Sequence, residues 1–313
     1  MPDPAAPSEA TVIGYLNSMS NWGRWGDDDE LGALNLLTSE KVASAADLVA
    51  EGRTVSLSRI IEFAPRADGA EAPLPPLHFM QASGEGAERD GVGAAHDWVG
   101  LPLHGHYLTH VDAPSHFFYE RQAYNGIPSE VIRTDHGATR AGVDVARRGI
   151  VSRGILLDVP RARGVDWLDG NDTVTAADLV AAERLGAVAC EPGDVVLVRT
   201  GYGARRRSPK DRSGPGIPGL AANCLPWIRE RDLPVIGTDT GTDAYPANSA
   251  VLGGAPVHLV CIVTMGMWII DNMDLEELAV ECAVLGRYEF FFTAAPLRLK
   301  NSTGSPLNPL AIF

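Results

Sequence analysis

Four side chains that can bind a metal ion or carry a proton are concentrated in the eleven residues from His106 to His116. Counted from His106, the other three fall at offsets +4, +6 and +10, which are His110, Asp112 and His116. Because these offsets are even, the four side chains would share one face of an extended chain. A helix would turn Asp112 away from that face, and Pro114 would remove a backbone donor from it. The segment is therefore predicted to be mostly extended.

A completely straight strand would keep the first two histidines apart. Four residues at about 3.3 Å each put His106 roughly 13 Å from His110, too far for both to bind one ion. A shared ion therefore requires a bend near Tyr107 and Leu108. Two imidazoles and the carboxylate of Asp112 are a common ligand set for a divalent metal, and they leave coordination positions open for catalysis.

His116 would lie near this ion as a proton carrier rather than as a ligand. The alternative interpretation is a histidine-rich loop whose side chains only form hydrogen bonds. The density of ionisable groups favours the metal site, because buried ionisable groups need partners.

The segment resembles the signature H-x-G-T-H-x-D-x-P-x-H of the metal-dependent cyclase family, which includes bacterial kynurenine formamidases and isatin hydrolase. The departure is Leu108, where the family usually has glycine. Further segments resemble blocks of the longer family members in the same order: 22–26, 29–32, 124–126, 237–240 and 304–310. The resemblance implies a mixed α/β fold with a β-rich, barrel-like core flanked by helices. It also implies assembly as a homodimer or homotetramer.

A second metal position is implied by the same resemblance. Family members have a histidine followed some twelve or thirteen residues later by glutamate, and His258 and Asp271 match this arrangement with aspartate in place of glutamate. Aspartate is one methylene shorter, which withdraws its oxygens by about 1.5 Å, whereas metal bonds tolerate only about 0.2 Å. We therefore expect about one ion per chain. Taken alone, His258 would be read as a hydrogen-bonded core histidine.

Other candidate site residues are weaker. Trp22, Arg24 and Trp25 could cover the site and contact a planar substrate, or they could simply pack. Asp239 follows an apolar strand and could orient a ligand histidine, or it could be an ordinary hydrogen-bonded aspartate at the end of that strand.

Composition limits the partners and the compartment. The net charge of −14 and a pI near 5.0 disfavour binding to nucleic acid or to anionic lipid. The four cysteines form no C-x-x-C pair, so buried reduced thiols and a cytoplasmic location are expected. Residues 251–270 are nearly apolar but contain glycine, proline and histidine, which favours a buried helix followed by a strand over a membrane span.

The order of elements predicts one catalytic domain over residues 11–313, preceded by a disordered tail at 1–10. Residues 64–102 are rich in Gly, Pro and Ala and predict a functional loop or lid, with a surface insertion as the alternative. A helix is predicted from Thr38 or Ser39 to about Ala50, and alternating strands and helices follow from residue 150. They include strands at 155–159, 194–199, 235–238 and 289–293, the last of these being the final strand, and helices at 175–185, 221–231, 256–264 and 275–284.

These features predict a metal-dependent hydrolase or cyclase that acts on the carbonyl carbon of a small-molecule amide, lactam or lactone. The ion, Mn²⁺ or Zn²⁺, would polarise the carbonyl and lower the pKa of a bound water. The alternative is a non-catalytic protein that binds a metal or a small molecule with the same residues. No glycine-rich phosphate loop follows a strand, so a nucleotide cofactor is not expected.

Overall fold

The computed structural model describes residues 7–63, 75–85, 91–209, 216–245 and 254–313. The helices in these ranges are α1 (Glu9–Ser18), α2 (Ser39–Ala46), α3 (Val159–Arg163), α4 (Ala176–Gly186), α5 (Tyr202–Arg207), α6 (Leu225–Glu230), α7 (Pro256–His258) and α8 (Glu276–Leu285). The strands are β1 (Thr54–Ser56), β2 (Leu77–Ala82), β3 (His96–Gly100), β4 (His110–Asp112), β5 (Ile132–Arg133), β6 (Gly137–Ala138), β7 (Ile150–Asp158), β8 (Thr173–Val174), β9 (Val195–Arg199), β10 (Gly219–Leu220), β11 (Val235–Thr238), β12 (Trp268–Asp271), β13 (Glu289–Ala294), β14 (Gly304–Pro306) and β15 (Leu310–Ile312).

One mixed sheet of nine strands organises the fold, in the order β1-β15-β13-β7-β9-β11-β12-β4-β14. The four strands β7, β9, β11 and β12 run parallel at its centre, and antiparallel strands extend it on both sides. The sheet curls into a half-barrel with helices on its faces. The predicted fold class, mixed α/β with a β-rich, barrel-like core, is confirmed.

The central strands are buried on both faces because successive side chains enter two different cores. In β7, Ile155 and Leu157 belong to the core that also contains side chains of α1, α4 and α6. The intervening Leu156 belongs to the core that contains side chains of α8 and β13. Strands buried on both faces have uninterrupted apolar sequences, and the predictions of strands at 194–199 and 235–238 are confirmed.

Several predicted boundaries shift. The helix predicted to reach Ala50 is capped by Thr38 but ends at Ala46. The helix after Thr175 is confirmed with its capping box, yet Ala187, at φ 49°, takes the left-handed conformation that ends it. The strand predicted to be the last is followed by β14 and β15. Residues 1–6 of the predicted tail lie outside the described residues, and α1 begins inside the predicted tail, at Glu9.

Residues 64–102 contain an antiparallel hairpin of β2 and β3 in their described part. Phe79 lies opposite Trp98 with ring centroids 5.4 Å apart, and the two side chains are 55% and 45% exposed. The segment, which glycine, proline and alanine made look irregular in sequence, thus contains two short paired strands in its described part. A role of this segment as a lid stays a prediction.

The apolar stretch at 251–270 is described from residue 254 onward. Its helical part, α7 followed by the π-helical turn Leu259–Thr264, leads into β12, as predicted. Within the described ranges, no helix combines the length and the apolar character that crossing a bilayer requires.

Phe292→Ala is expected to lower the free energy of unfolding by about 3–5 kcal/mol, since truncating a buried phenylalanine leaves a cavity. Phe292 is fully buried in the core that contains α8. Urea denaturation measures the change. Phe291→Ala is the control, because Phe291 points to the opposite face of β13 and is only partly buried. A loss for Phe292→Ala no larger than the control's would contradict this description of the core.

Candidate metal centre

The centre is built where β4 lies between β12 and β14. His110 and Asp112 are separated by one residue on β4, so both side chains project from the same face. The register pairs His110 with Asp271 and Asp112 with Ile269 on the antiparallel neighbour β12. His110, Asp112 and Asp271 are all at least 95% buried, with exposed fractions of 1%, 1% and 5%. Strand pairing therefore brings the predicted first and second metal positions side by side.

A bend at residues 104–108 precedes β4, as the metal site requires, but it begins earlier than predicted. The left-handed backbone conformation is at Gly105, with φ 109°, and Leu108 is buried with a negative φ. The glycine of the family signature is therefore not needed at Leu108, because Gly105 supplies the conformational freedom.

Asn272 fixes this bend to the end of β12. Its side-chain amide donates to the carbonyl oxygens of Gly105, at 2.7 Å, and of Leu108, at 3.3 Å. The backbone carbonyl of Asn272 accepts a 2.7 Å hydrogen bond from Thr109 Oγ1. Asn272 has φ 58° and is 1% exposed. Since asparagine tolerates the left-handed region better than most residues, this residue type suits both requirements.

One group of possible ligand atoms comprises His104, His110 and Asp112, all within 4.8 Å of one another. The Nδ1–H of His110 donates to the Leu108 carbonyl at 2.9 Å, which leaves Nε2 as the free lone pair, 3.5 Å from Asp112 Oδ1. His104 bonds the same carboxylate oxygen through Nδ1 at 2.9 Å and bonds Thr303 Oγ1 through Nε2 at 2.8 Å. Because both its ring nitrogens are engaged, His104 is arranged to orient Asp112.

His106 lies in the same cavity but outside that group. Its Nδ1 is buried and has no hydrogen-bond partner among the described residues, and neither does Oδ2 of Asp112. A Cβ atom added to Gly241 would lie 2.7 Å from Nδ1 of His106, so only glycine leaves room for the ring. Unpartnered buried polar atoms are rare, and a lone pair together with a carboxylate oxygen suits a divalent cation.

The second group comprises Asp112, His258 and Asp271. Nε2 of His258 lies 3.2 Å from Asp271 Oδ2 and 3.6 Å from Asp112 Oδ2. Asp243 holds the other side of the imidazole at 2.6 Å and also accepts from the backbone N–H of His258 at 3.0 Å. Thr242 donates to Asp271 Oδ1 at 2.6 Å. Both ring nitrogens of His258 and both oxygens of Asp271 are thus already engaged, whereas Oδ2 of Asp112 is not.

His116 lies at the edge of the same cluster. Its ring is stacked on His104, with centroids 3.7 Å apart and planes at 5°, and its Nε2 is 3.8 Å from Asp112 Oδ2. Burial lowers the pKa of His116 to about 4, although Asp112 opposes the shift. The imidazole is therefore neutral near pH 7 and can accept a proton.

Burial and neighbouring charges shift the pKa values of two groups at the centre in opposite directions. Burial disfavours the ionised form of Asp112, but His116 and His110, with hydrogen bonds from two further histidines, hold the pKa of its carboxyl well below the usual range. Burial likewise opposes charge on His258, yet nearby carboxylates, Asp271 foremost, raise its pKa well above the usual range. An ionised buried carboxylate requires a positive partner.

A cavity of about 260 Å³ opens onto these groups. The five predicted metal-binding residues line it: His106, His110, Asp112, His258 and Asp271. The predicted proton carrier His116 lines it as well. Its apolar lining includes Phe117, Ala244 and Tyr245. The structure therefore places the predicted metal-binding residues and His116 on the lining of one cavity.

Trp22, Arg24 and Trp25 are engaged elsewhere and are not among the residues that line this cavity. The Trp22 indole donates to the Val263 carbonyl at 2.7 Å. Arg24 forms two 2.6 Å hydrogen bonds with the carboxylate of Asp232 and lies over the Trp25 ring. These contacts correspond to the packing alternative, and a substrate contact stays a prediction.

Asp239 does not contact a ligand histidine. Its carboxylate accepts four hydrogen bonds of 2.8–3.1 Å from Thr200, Gly201 and Tyr202, at the start of α5. The aspartate that bonds a cavity histidine is Asp243, at His258, and neither it nor His104 was predicted from the sequence. His104 continues the even spacing by one step before His106, so this signal was available, whereas Asp243 has no comparable spacing.

Comparison with known proteins identifies the family of this chain. A model of the family described as "Putative cyclase" matches residues 55–244, which is more than half of the chain. The chain belongs to this family. The resemblance inferred from the histidine signature is thereby confirmed.

Relatives within and beyond the family agree in fold. The isatin hydrolase of Roseibium aggregatum is 24% identical over 236 residues, which are 72% of this chain and 78% of that protein. A solved structure of a novel cyclase is 34% identical, with a TM-score of 0.83 over 94% of this chain and 99% of that chain. A predicted metal-dependent hydrolase from Bacillus stearothermophilus is 17% identical, with a TM-score of 0.51 over 83% of this chain and 97% of that chain; this similarity shows the fold alone. The chain is an enzyme, a hydrolase or a cyclase.

Asn272→Gly is expected to weaken divalent metal binding and to lower the free energy of unfolding by about 1 kcal/mol, because the Gly105 carbonyl loses its hydrogen bond and the Leu108 carbonyl keeps only the one from His110. Glycine keeps the left-handed backbone accessible, so the change isolates the side-chain hydrogen bonds. Calorimetric metal titration and urea denaturation measure the two effects. Asn301→Gly is the matched control, since Asn301 also has a positive φ, 62°, and its side chain also bonds a backbone carbonyl, that of His136, but it does not line the cavity. If the two variants behaved alike, the proposed role of the Asn272 side chain in fixing the bend would be contradicted.

Proposed function

We propose that the protein is a metal-dependent hydrolase that opens an amide, lactam or lactone by attack of water on its carbonyl carbon. The observation that carries this proposal is the pair of buried atoms without partners, Nδ1 of His106 and Oδ2 of Asp112, in the cavity that His116 also lines. With the free Nε2 of His110, these two atoms would supply two imidazoles and one carboxylate, once His106 moves closer to the other two residues than it lies in this structure.

The ion, Mn²⁺ or Zn²⁺, would be held by His106, His110 and Asp112. When bound there, a divalent cation supplies Lewis acidity, which polarises a carbonyl and lowers the pKa of water. The surrounding chain orients the donors: the Leu108 carbonyl fixes the tautomer of His110, and His104 fixes one oxygen of Asp112. Mutation of such orienting contacts typically lowers metal affinity or activity by about 10- to 100-fold.

His116 would carry the proton. Its neutral imidazole accepts a proton from the attacking water and returns it to the nitrogen or oxygen that leaves the carbonyl carbon. Stacking on His104 and burial keep the ring in place and neutral. Its lack of a hydrogen bond to Asp112, at 3.8 Å, leaves Nε2 available for this transfer.

The substrate would be a small molecule with a planar apolar part. Phe117 and Tyr245 line the cavity beside the polar cluster, and the cavity volume of about 260 Å³ suits a compact ring system. The similarity to an isatin hydrolase supports lactam opening as the first reaction to test. Ring closure is the same chemistry in reverse and is the second candidate, which the family description supports. A homodimer or homotetramer remains a prediction.

Metal-loaded protein is expected to hydrolyse at least one member of a panel of aryl formamides, isatin-like lactams and aryl lactones, and chelator-treated protein is expected to lose that activity. His116→Asn should retain its metal and lose turnover by about 100- to 10,000-fold, as expected for removal of a positioned base. The rate and the metal content are measured on the same samples. His136→Asn is the control, because His136 is exposed and does not line the cavity.

Loss of metal in His116→Asn would identify His116 as a ligand instead of a base. Wild-type turnover in that variant would exclude it from proton transfer. If the loaded protein hydrolysed no member of the panel, hydrolysis of these three classes would be excluded.

The metal content is expected to be about one ion per chain by elemental analysis, because the donors around His258 are already paired with one another. His106→Gln should remove this ion, whereas His104→Gln should keep it with weaker affinity, since His104 is assigned to orienting Asp112. Circular dichroism checks that both variants remain folded. Two ions per chain, or metal lost only in His104→Gln, would contradict the ligand assignment.

A further inference from the structure

A second concave site lies between the N-terminal part of the chain and the start of β7. Its volume is about 660 Å³, within the range of small-molecule sites in proteins, about 300–1,000 Å³. Apolar side chains make up most of its lining: Leu31, Leu34, Leu37, Val42, Val145 and Val151. It shares no lining residue with the cavity at the metal centre, so this site is separate from the proposed reaction.

The charged residues of this groove carry one sign. Among the described residues that line it, Arg147 and Arg148 are the only charged ones. Both are exposed, and neither forms an ion pair within the part of the chain that the structure describes. Neighbouring arginines behave differently, since Arg140 pairs with Glu30 and Arg153 pairs with Asp194. Two adjacent unpaired cations are unusual on a chain whose net charge is −14.

The remaining polar groups of the groove are largely satisfied within the protein. The side-chain amide of Asn35 donates to Asp29 at 2.8 Å and to the Gly32 carbonyl at 2.9 Å. Thr38 Oγ1 accepts from the backbone N–H of Lys41, as the cap of α2. The available recognition elements are therefore an apolar floor and two guanidinium groups.

We propose that this groove binds a free, small amphipathic carboxylate. The apolar tail would lie against Leu34 and Val42, and the carboxylate would bond to Arg147 and Arg148 at the rim. Guanidinium and carboxylate groups form paired, charge-assisted hydrogen bonds, while burial of the tail supplies the apolar contribution. The groove accommodates both parts, whereas a purely polar anion would leave the floor uncovered. This proposal does not depend on the proposed hydrolase activity.

Calorimetric titration of the full-length protein with octanoate tests the proposal, with octan-1-ol and octylammonium as neutral and cationic probes of equal chain length. Saturable binding of octanoate is expected, and it should exceed the binding of both other probes. Arg147→Gln combined with Arg148→Gln should weaken octanoate binding at least about tenfold. Arg298→Gln is the matched control, because Arg298 is also exposed and does not line the groove.

Ala43→Glu is a second variant with little risk to folding, since Ala43 is exposed on α2 at the groove. It should also weaken octanoate binding, because it introduces a negative charge into the groove that the anionic ligand would occupy. Absence of saturable octanoate binding, equal binding of the three probes, or unchanged affinity in both variants would overturn the proposal.

Two further results would assign the groove to a different partner and overturn the proposal. The first is binding to anionic lipid vesicles that exceeds binding to free octanoate and is lost in the double arginine variant. The second is that the wild-type protein binds no octanoate while Ala43→Glu changes the oligomeric state, as measured by sedimentation. That outcome would identify the groove as a contact between copies of this chain.

Discussion

The rest of the centre depends on the interaction between the buried, ionised carboxylate of Asp112 and the imidazoles around it. Removing a carboxylate from water costs several kcal/mol, on the order of the whole stability of a domain, unless positive charge and hydrogen bonds compensate it. Here, imidazoles surround the group: His104 and His110 face one oxygen, while His116 and His258 face the other. A chain that lost these neighbours would leave the charge uncompensated, so the histidines serve stability as well as chemistry.

The contacts around Asp112 reach the site from separate parts of the chain. The bend before β4 contributes His104, the segment after β11 contributes Asp243 through His258, and the turn before β14 contributes Thr303. Networks of this kind strengthen one another at low local dielectric, and an incomplete one is costly. The curled sheet matters because β4 receives neighbours on both edges, which fixes all these approaches at once.

Sequence reasoning succeeded where local pattern and tertiary environment agree. The central parallel strands are apolar throughout because both faces are buried, and His110 and Asp112 share a face because they lie two residues apart on β4. It failed where long-range pairing decides the structure: β14 is only three residues long and exists because it pairs with β4. Asp243 carries no local signal, since its relation to His258 is set by folding over fifteen residues of chain.

The pairing of His110 with Asp271 across β4 and β12 has a consequence for how such an enzyme can change during evolution. Side chains alternate between the two faces of a strand, so inserting or deleting one residue within β4 would turn Asp112 toward the opposite face. Single substitutions in this strand therefore leave the site in place, whereas an insertion or a deletion within it would disrupt the site. Gains and losses of residues are instead tolerated best in the connections between strands, where no side chain has to keep a fixed face.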